Sequence, residues 1–94
     1  MPGTRALPVT VTLVGKPGCH LCDDARAVVT RVAAETGAEV EELDITAEGF
    51  DPELKVEYWE QIPVTLVNGA RHDFWRVDAE RLRRAITEAA RGGR

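Results

Sequence analysis

The sequence predicts an α/β fold: a four-stranded mixed sheet with helices on both faces, in the order β-α-β-α-β-β-α. Short β-branched and apolar runs alternate with segments whose apolar residues recur at helical spacing. An Asn68-Gly69 pair marks a hairpin between the last two strands. A chain of 94 residues has room for one core. We therefore expect one domain over 9–91, a flexible N-terminus over 1–8 and a frayed tail over 92–94.

The first three elements form a strand-helix-strand unit. Val9–Gly15 alternates β-branched and apolar residues, which predicts a strand. From Cys19 the apolar residues recur at helical spacing, and Gly37 is a helix stop signal. The apolar residues of Ala38–Ile45 indicate a second strand. Because the connection between the two strands must cross over the sheet, they are expected to pair in parallel.

The second half of the chain adds a short helix, a hairpin and a last helix. The short helix is predicted over 51–61, which opens with Asp-Pro, the residue types of an N-cap and a first helical position. Strands are predicted over 62–69 and 70–77, joined at the Asn-Gly turn. Asp78 opens the final helix, and its apolar stripe consists of Leu82, Ala85, Ile86 and Ala89.

Charge and hydropathy exclude several classes of partner. A net charge of −4 argues against nucleic acid and anionic membranes, which need a basic surface. No apolar run approaches the length of a membrane span, and no secretory signal is visible at the N-terminus. We therefore expect a cytoplasmic protein, in a compartment where stable structural disulfides are rare.

The only two cysteines, Cys19 and Cys22, allow three interpretations. A structural zinc site needs four ligands, but His20 lies between the cysteines and His72 is distant in sequence, so no metal site is predicted within one chain. A metal or iron–sulfur cluster bridged between two chains remains an alternative. A structural disulfide would add little stability, because it closes a very short loop.

A redox-active disulfide between Cys19 and Cys22 explains the pair better. Cys19 lies where a predicted strand gives way to a helix, and the unpaired N–H groups of a helix N-terminus stabilise a thiolate. The thiolate is the nucleophile in disulfide exchange. Cys22, one turn further along, is placed to attack the resulting mixed disulfide. A C-x-x-C that opens a helix in a β-α-β context therefore predicts dithiol–disulfide chemistry.

A proline at the start of the third predicted strand is the second unusual feature. Pro63 cannot donate a hydrogen bond to a sheet ladder. A cis Ile62–Pro63 peptide bond would make a tight bend there, whereas a trans proline at the first residue of the strand is the alternative.

With both motifs present, the chain resembles small glutaredoxin-like proteins of the thioredoxin-fold superfamily, from Val9 to about Ala90. The resemblance rests on "KPGCHLC", "IPVTLVNG" and the helix that Asp78 opens. It implies a thioredoxin-like fold, with Pro63 cis and facing the cysteines. It also implies that the backbone of Ile62 binds an extended substrate.

The resemblance also indicates reaction partners and further binding residues. It implies that Lys16 and Asp78 contact the substrate, which would be a disulfide-containing protein or a small-molecule disulfide. Electrons would come from glutathione or a thioredoxin-reductase-type donor, so glutathione is a candidate co-substrate and no bound cofactor is required. His20 is a candidate proton carrier, because imidazole titrates near neutrality. We expect a monomer.

Three positions depart from the glutaredoxin pattern. His20-Leu21 replaces Pro-Tyr between the cysteines, Gln61 replaces a threonine, and Trp75-Arg76 replaces a Gly-Gly step that lets glutathione approach the backbone. The last of these replacements favours the main alternative, a binding or scaffold protein that keeps the fold but has little redox turnover, whereas the intact C-x-x-C opposes it.

Charges around Cys19 bear on the direction of the reaction. Asp23 shares a helix face with Cys19 and disfavours its thiolate, whereas the helix end and Lys16 favour it. We expect a modestly lowered pKa of Cys19 and a protein that acts as a reductant.

Overall fold

The computed structural model describes residues 8–92, and the expectations for residues 1–7 and 93–94 lie outside this range. Four strands and three helices follow one another in the predicted order. They are β1 (Thr10–Gly15), α1 (His20–Thr36), β2 (Glu39–Asp44), α2 (Pro52–Tyr58), β3 (Val64–Val67), β4 (Ala70–Phe74) and α3 (Ala79–Ala90).

The strands form one mixed sheet in the order β2-β1-β3-β4. β1 pairs with β2 in parallel, because α1 returns the chain across the sheet, whereas β3 runs antiparallel to both β1 and β4. Val14 near the end of β1 lies opposite Val64, the first residue of β3. The end of β1 and the start of β3 are therefore neighbours.

Helices cover both faces of the sheet, as predicted. One buried cluster joins β1 and β3 to α1 and α3, and it consists of Val9, Val11, Val29, Val32, Val67, Leu82 and Ile86. A smaller cluster on the other face joins the sheet to α2 through Val14, Ile45, Tyr58 and Val64. Alternate residues of β1 thus contribute to two separate cores, which is the period-2 geometry of a strand covered on both sides.

Local sequence signals set both ends of α1 and the start of α3. Cys19 caps α1, and Gly37 ends it with a left-handed backbone, φ +83°. Asp78 caps α3 with its carboxylate. Val77, the residue before this cap, packs against the core cluster that contains Leu82, as expected for a hydrophobic staple.

Three elements differ from their predicted extent by more than one residue at an end: α2, β4, and β3, which covers Val64–Val67 rather than 62–69. α2 ends at Tyr58 rather than at 61, since a turn closed by Gln61 N–H donating to Tyr58 O follows it. β4 ends at Phe74 rather than at 77, because Trp75 has a left-handed backbone with φ +67°. Every residue of β2, an edge strand, is exposed.

None of the helices within residues 8–92 has both the length and the apolar character that crossing a membrane requires.

His72 on β4 is expected to make stability depend on pH. Burial lowers its pKa below 6.5; Arg81 lowers it further and Asp73 raises it. Since the folded state favours the neutral imidazole, the unfolded chain binds more protons as the pH falls below about 6.5. We expect the free energy of unfolding to decrease between pH 7.5 and pH 5. The hydrogen bonds that lower the pKa values of Asp44 and Asp78 matter only at lower pH.

Denaturation by guanidinium at the two pH values measures this effect. His72→Gln should reduce the difference in unfolding free energy between them. An unchanged difference in this variant would rule out His72 as its source.

Candidate active site

The two cysteines lie at the junction between β1 and α1. Cys19 is the N-cap residue, and its Sγ accepts a hydrogen bond from Cys22 N–H at 3.2 Å. The two sulfurs form the Cys19–Cys22 disulfide, and their Cα atoms are 5.1 Å apart. The sulfur of Cys19 therefore sits at the positively polarised end of a helix of 17 residues. A thiolate formed at this sulfur would be stabilised by the same N–H donor.

The two sulfurs differ in their access to solvent. Cys19 is partly exposed, whereas Cys22 is only 1% exposed. The backbone of Gly15 lies over the inner sulfur, so that a Cβ at this position would be 2.8 Å from Cys22 Sγ. A glycine is needed where β1 passes so close to a buried sulfur. The inner sulfur is therefore shielded from solvent, and the sulfur of Cys19 is the accessible one.

A cleft of about 330 Å³ with charged side chains in its lining lies beside the inner cysteine, and Cys22 is one of its lining residues. Arg26 spans it through ion pairs with Asp23 on α1 and Glu42 on β2, each with an N–O distance of 2.9 Å. The carboxylate of Asp23 is thus paired with a guanidinium. This pairing offsets part of the repulsion that Asp23 would exert on a thiolate at Cys19.

The Ile62–Pro63 peptide bond is cis, which confirms the expectation drawn from the resemblance. Pro63 is buried and immediately precedes β3, where Val64 lies opposite Val14. Continuing this register places Pro63 beside Gly15, the last residue before the cysteine loop. Ile62 is half-buried and packs against the core cluster on the α2 side.

The other predicted binding residues, Lys16, His20 and Asp78, are all exposed. Lys16 is exposed in the loop before Cys19, and its Nζ lies 5.1 Å from the centroid of the Trp59 ring. His20 is exposed in the first turn of α1. Asp78 is also exposed, but its carboxylate accepts the backbone N–H of Arg81 at 3.0 Å. This hydrogen bond is the main cause that lowers the pKa of Asp78, so the group acts first as a helix cap.

Trp75 is an additional residue of the site, and three of its hydrogen bonds hold the proline bend. Its backbone N–H donates to the carbonyl oxygens of Pro63 at 2.8 Å and Gln61 at 3.3 Å. Its indole Nε1–H donates to Glu60 O at 3.1 Å, and its ring packs edge-on against Phe74 with centroids 5.0 Å apart. About half of the side chain is exposed. Trp75 therefore fixes the bend and also presents an aromatic surface beside it.

The sequence did not indicate these contacts of Trp75. It showed only that Trp75 replaces part of a Gly-Gly step that is typical of the glutaredoxins that the chain resembles. A positive φ is rare for a residue with a large side chain, and such strain persists only where the surrounding structure imposes it. Here the ladder of β3 and β4 and the bend at 60–63 impose it. None of these contacts is local in sequence.

The left-handed backbone at Trp75 can be tested by stability. Trp75→Gly and Trp75→Ala both remove the indole, but only alanine keeps a Cβ that opposes a positive φ. We expect the glycine variant to be more stable by about 1 kcal/mol, measured by chemical denaturation.

Arg84, exposed on α3, provides the control for this comparison. At a helical position the order should reverse, with alanine more stable than glycine by about 1 kcal/mol. If alanine were also the more stable residue at position 75, Trp75 would not have a left-handed backbone in solution.

Within the described part of the chain, no group of three or more histidine, cysteine, aspartate or glutamate side chains is placed to hold a metal ion.

Comparisons with known proteins agree with this geometry. A family described as a glutaredoxin-like domain matches residues 10–87, a range that includes both cysteines and the proline bend. Uncharacterized proteins of Mycobacterium bovis and Mycobacterium tuberculosis are 30% identical over 84 residues, which is 87% of this chain and 87% of theirs. The similarity therefore extends over nearly the whole domain.

Solved structures resemble the chain over most of its length. A structural-genomics target protein from X. campestris is 28% identical, with a TM-score of 0.64 over 82% of this chain and 95% of its own. The protein Ne2328 from Nitrosomonas europaea is 19% identical, with a TM-score of 0.72 over 88% and 96%. A mutant thioredoxin from Halobacterium salinarum is 21% identical, with a TM-score of 0.60 over 87% and 74%. These similarities show a thioredoxin-like fold.

Proposed function

The chain belongs to the family of glutaredoxin-like domains, and from this premise we propose that it is a dithiol–disulfide oxidoreductase that reduces disulfides through Cys19 and Cys22. The observation that carries this proposal is the unequal exposure of the two sulfurs. One is accessible at the N-terminus of α1, and the other is buried directly behind it.

The reaction proceeds in two exchanges. In the reduced protein, the Cys19 thiolate attacks one sulfur of the substrate disulfide, which breaks the substrate S–S bond and releases the first product thiol. Cys22, as its thiolate, then attacks Cys19 Sγ in the mixed disulfide and releases the second thiol. Two electrons pass to the substrate, the cysteine pair is oxidised to a disulfide, and the two thiol protons of the pair end on the products.

The residues around the pair have proposed roles in substrate binding. The backbone of Ile62, held at the Pro63 bend, binds an extended segment of the substrate. Lys16 places a positive charge beside Cys19, and His20, exposed in the first turn, carries a proton to or from the thiols. Asp78 binds the substrate through the acceptor positions of its carboxylate that the hydrogen bond from Arg81 N–H leaves unused.

The oxidised pair must be reduced again for turnover. A thiol donor can do this, and we propose glutathione or a thioredoxin-reductase-type protein, with no bound cofactor in the protein itself. The substrate class is a protein disulfide or a small-molecule disulfide, and the protein acts as a monomer. A cytoplasmic setting suits a reductant, because its thiol pool is kept reduced.

One observation favours a second function, that of a scaffold protein with little redox turnover. Trp75 occupies the position where glutaredoxins let glutathione approach the backbone, and half of its side chain lies exposed beside the bend. In such a protein the cysteines would be retained without exchanging with partners.

Equilibration with thiol–disulfide buffers distinguishes the two functions. After acid quenching and alkylation, mass spectrometry counts the free thiols at each buffer ratio. We expect Cys19 and Cys22 to convert together and reversibly between dithiol and disulfide. A pair that stays in one state across buffers from strongly reducing to strongly oxidising would favour the scaffold.

A further inference from the structure

The two lysines of the chain contact the same tryptophan. The sequence contains only Lys16 and Lys55. Their Nζ atoms lie 5.1 and 5.7 Å from the centroid of the Trp59 ring. Lys16 belongs to the loop that leads to Cys19, Lys55 to α2, and Trp59 follows α2 directly. These three residues, the Lys–Trp cluster, therefore join the cysteine loop to the segment that leads into the proline bend.

The positive charges of the Lys–Trp cluster are not neutralised by the ion pairs that the structure shows among residues 8–92, all of which involve arginine. The face of an indole attracts both ammonium groups, yet the two like charges repel each other. An anion bound at the cluster would relieve this repulsion. In a chain of net charge −4, the cluster thus places two positive charges together, one of them on a residue three positions before Cys19.

The surface next to the cluster is apolar and concave. A cleft of about 480 Å³ lies along the end of α2, and Lys55, Val56, Glu57, Trp59, Glu60 and Gln61 line it. Val56 is 82% exposed and Trp59 is 44% exposed. Of the two carboxylates, Glu57 faces Arg71 at 3.8 Å, whereas Glu60 forms none of the ion pairs seen among residues 8–92. The surface therefore offers apolar contact area, and the ammonium groups of Lys16 and Lys55 carry two positive charges against the one unpaired carboxylate of Glu60.

This arrangement suits a protein better than a small thiol. A single carboxylate beside Cys19 needs only Lys16, whereas Lys55 and Val56 extend the surface onto α2. A partner that uses both lysines must cover this surface while its disulfide stays at Cys19.

We propose that the Lys–Trp cluster binds an acidic segment of a protein substrate, next to the disulfide that Cys19 attacks. This inference rests on the proposed function and specifies its substrate as a polypeptide disulfide with aspartate or glutamate side chains near the cysteine. Lys16 and Lys55 bind the carboxylates, and Trp59 is a positioning residue that holds the two ammonium groups. Charge complementarity of this kind increases the rate of association more than the strength of binding.

The attack of Cys19 on synthetic peptides tests the proposal. The Cys22→Ser variant of the protein is used, so that only Cys19 can react. Each peptide carries one cysteine that is activated by a neutral thiopyridyl group. The residues on either side of this cysteine are glutamates in one peptide and glutamines in the other. Release of thiopyridone gives the second-order rate constant. At low salt we expect the acidic peptide to react about fivefold faster, and the difference to shrink as salt is added.

Variants identify the groups responsible. Lys55→Gln and Trp59→Leu should bring the acidic-to-neutral rate ratio close to one, whereas Trp59→Phe, which keeps an aromatic face, should retain most of it. Arg31→Gln is the matched control, because Arg31 is an exposed residue well along α1, about 16 Å from its start. It removes one positive charge away from the site and should leave the ratio unchanged.

Three results would overturn the proposal. Equal rates for the two peptides in the Cys22→Ser protein would show that the cluster does not select acidic substrates. An equal effect of Arg31→Gln and Lys55→Gln on the acidic-to-neutral rate ratio would show the same. If thiopyridyl-activated glutathione lost as much rate in Lys55→Gln as the acidic peptide does, the bound anion would be a carboxylate of glutathione and not a protein segment. If Cys19 attacked none of the probes, the proposed function itself would fail.

Discussion

Replacing Cys19 with serine is expected to abolish disulfide reduction, with a loss of about a thousandfold or more. A serine hydroxyl is not ionised at neutral pH, so the helix N-terminus no longer stabilises a nucleophile. Cys22 cannot take over, because it is 1% exposed and lies against the backbone of Gly15. The measurement is the rate of insulin or model disulfide reduction with a dithiol donor supplied.

The same variant also tests which sulfur attacks the substrate. The exposed position of Cys19 predicts that Cys19→Ser remains folded, which circular dichroism can verify. A folded variant that kept a tenth of the wild-type rate would show that substrates reach Cys22 directly, against the burial seen in the structure.

Replacing Cys22 with serine is expected to convert the protein into a trap. Without the inner thiol, the mixed disulfide at Cys19 is not resolved, so a covalent adduct should accumulate to one equivalent when no other thiol is added. The wild-type protein should release both products and show no lasting adduct. Intact mass and peptide mapping measure the amount of adduct and its position.

A matched variant, Cys22→Ala, distinguishes the effect of the missing thiol from the effect of altered packing. Cys22→Ala leaves no hydroxyl beside Gly15 and should trap the substrate as serine does. An absence of adduct in both variants, or an adduct on a residue other than Cys19, would contradict the two-step reaction. Because the trap holds its substrate covalently, Cys22→Ser can also capture physiological partners for identification.

Much of the fold could be predicted because its signals are local. The change from alternating to helical apolar spacing at Cys19, the stop at Gly37 and the Asn68-Gly69 turn each act within a few residues. Both turn residues have positive φ, as a tight hairpin requires. The end of β4 could not be predicted, because it depends on hydrogen bonds from Trp75 to Gln61 and Pro63, which join segments distant in sequence.

In the candidate site, too, some features follow from neighbouring residues and others from contacts between segments distant in sequence. The position of Cys19 at a helix N-terminus follows from neighbouring residues, and so does the place of Cys22 one turn away. Folding alone brings the proline bend beside the end of β1, through the antiparallel pairing of β1 with β3. The contact of Lys16 with Trp59 likewise joins the cysteine loop to the end of α2, whereas Lys55 contacts Trp59 locally, at i, i+4 spacing.

The rate of product formation over many turnovers tests the central claim most directly. Wild-type protein is mixed with an excess of a model disulfide and a thiol donor, and the product thiols formed above the uncatalysed background are counted per protein molecule. We expect many equivalents per molecule, and none when Cys19 is replaced by serine. A yield that stops at one turnover, or a rate equal to that of the donor alone, would contradict catalysis by this cysteine pair.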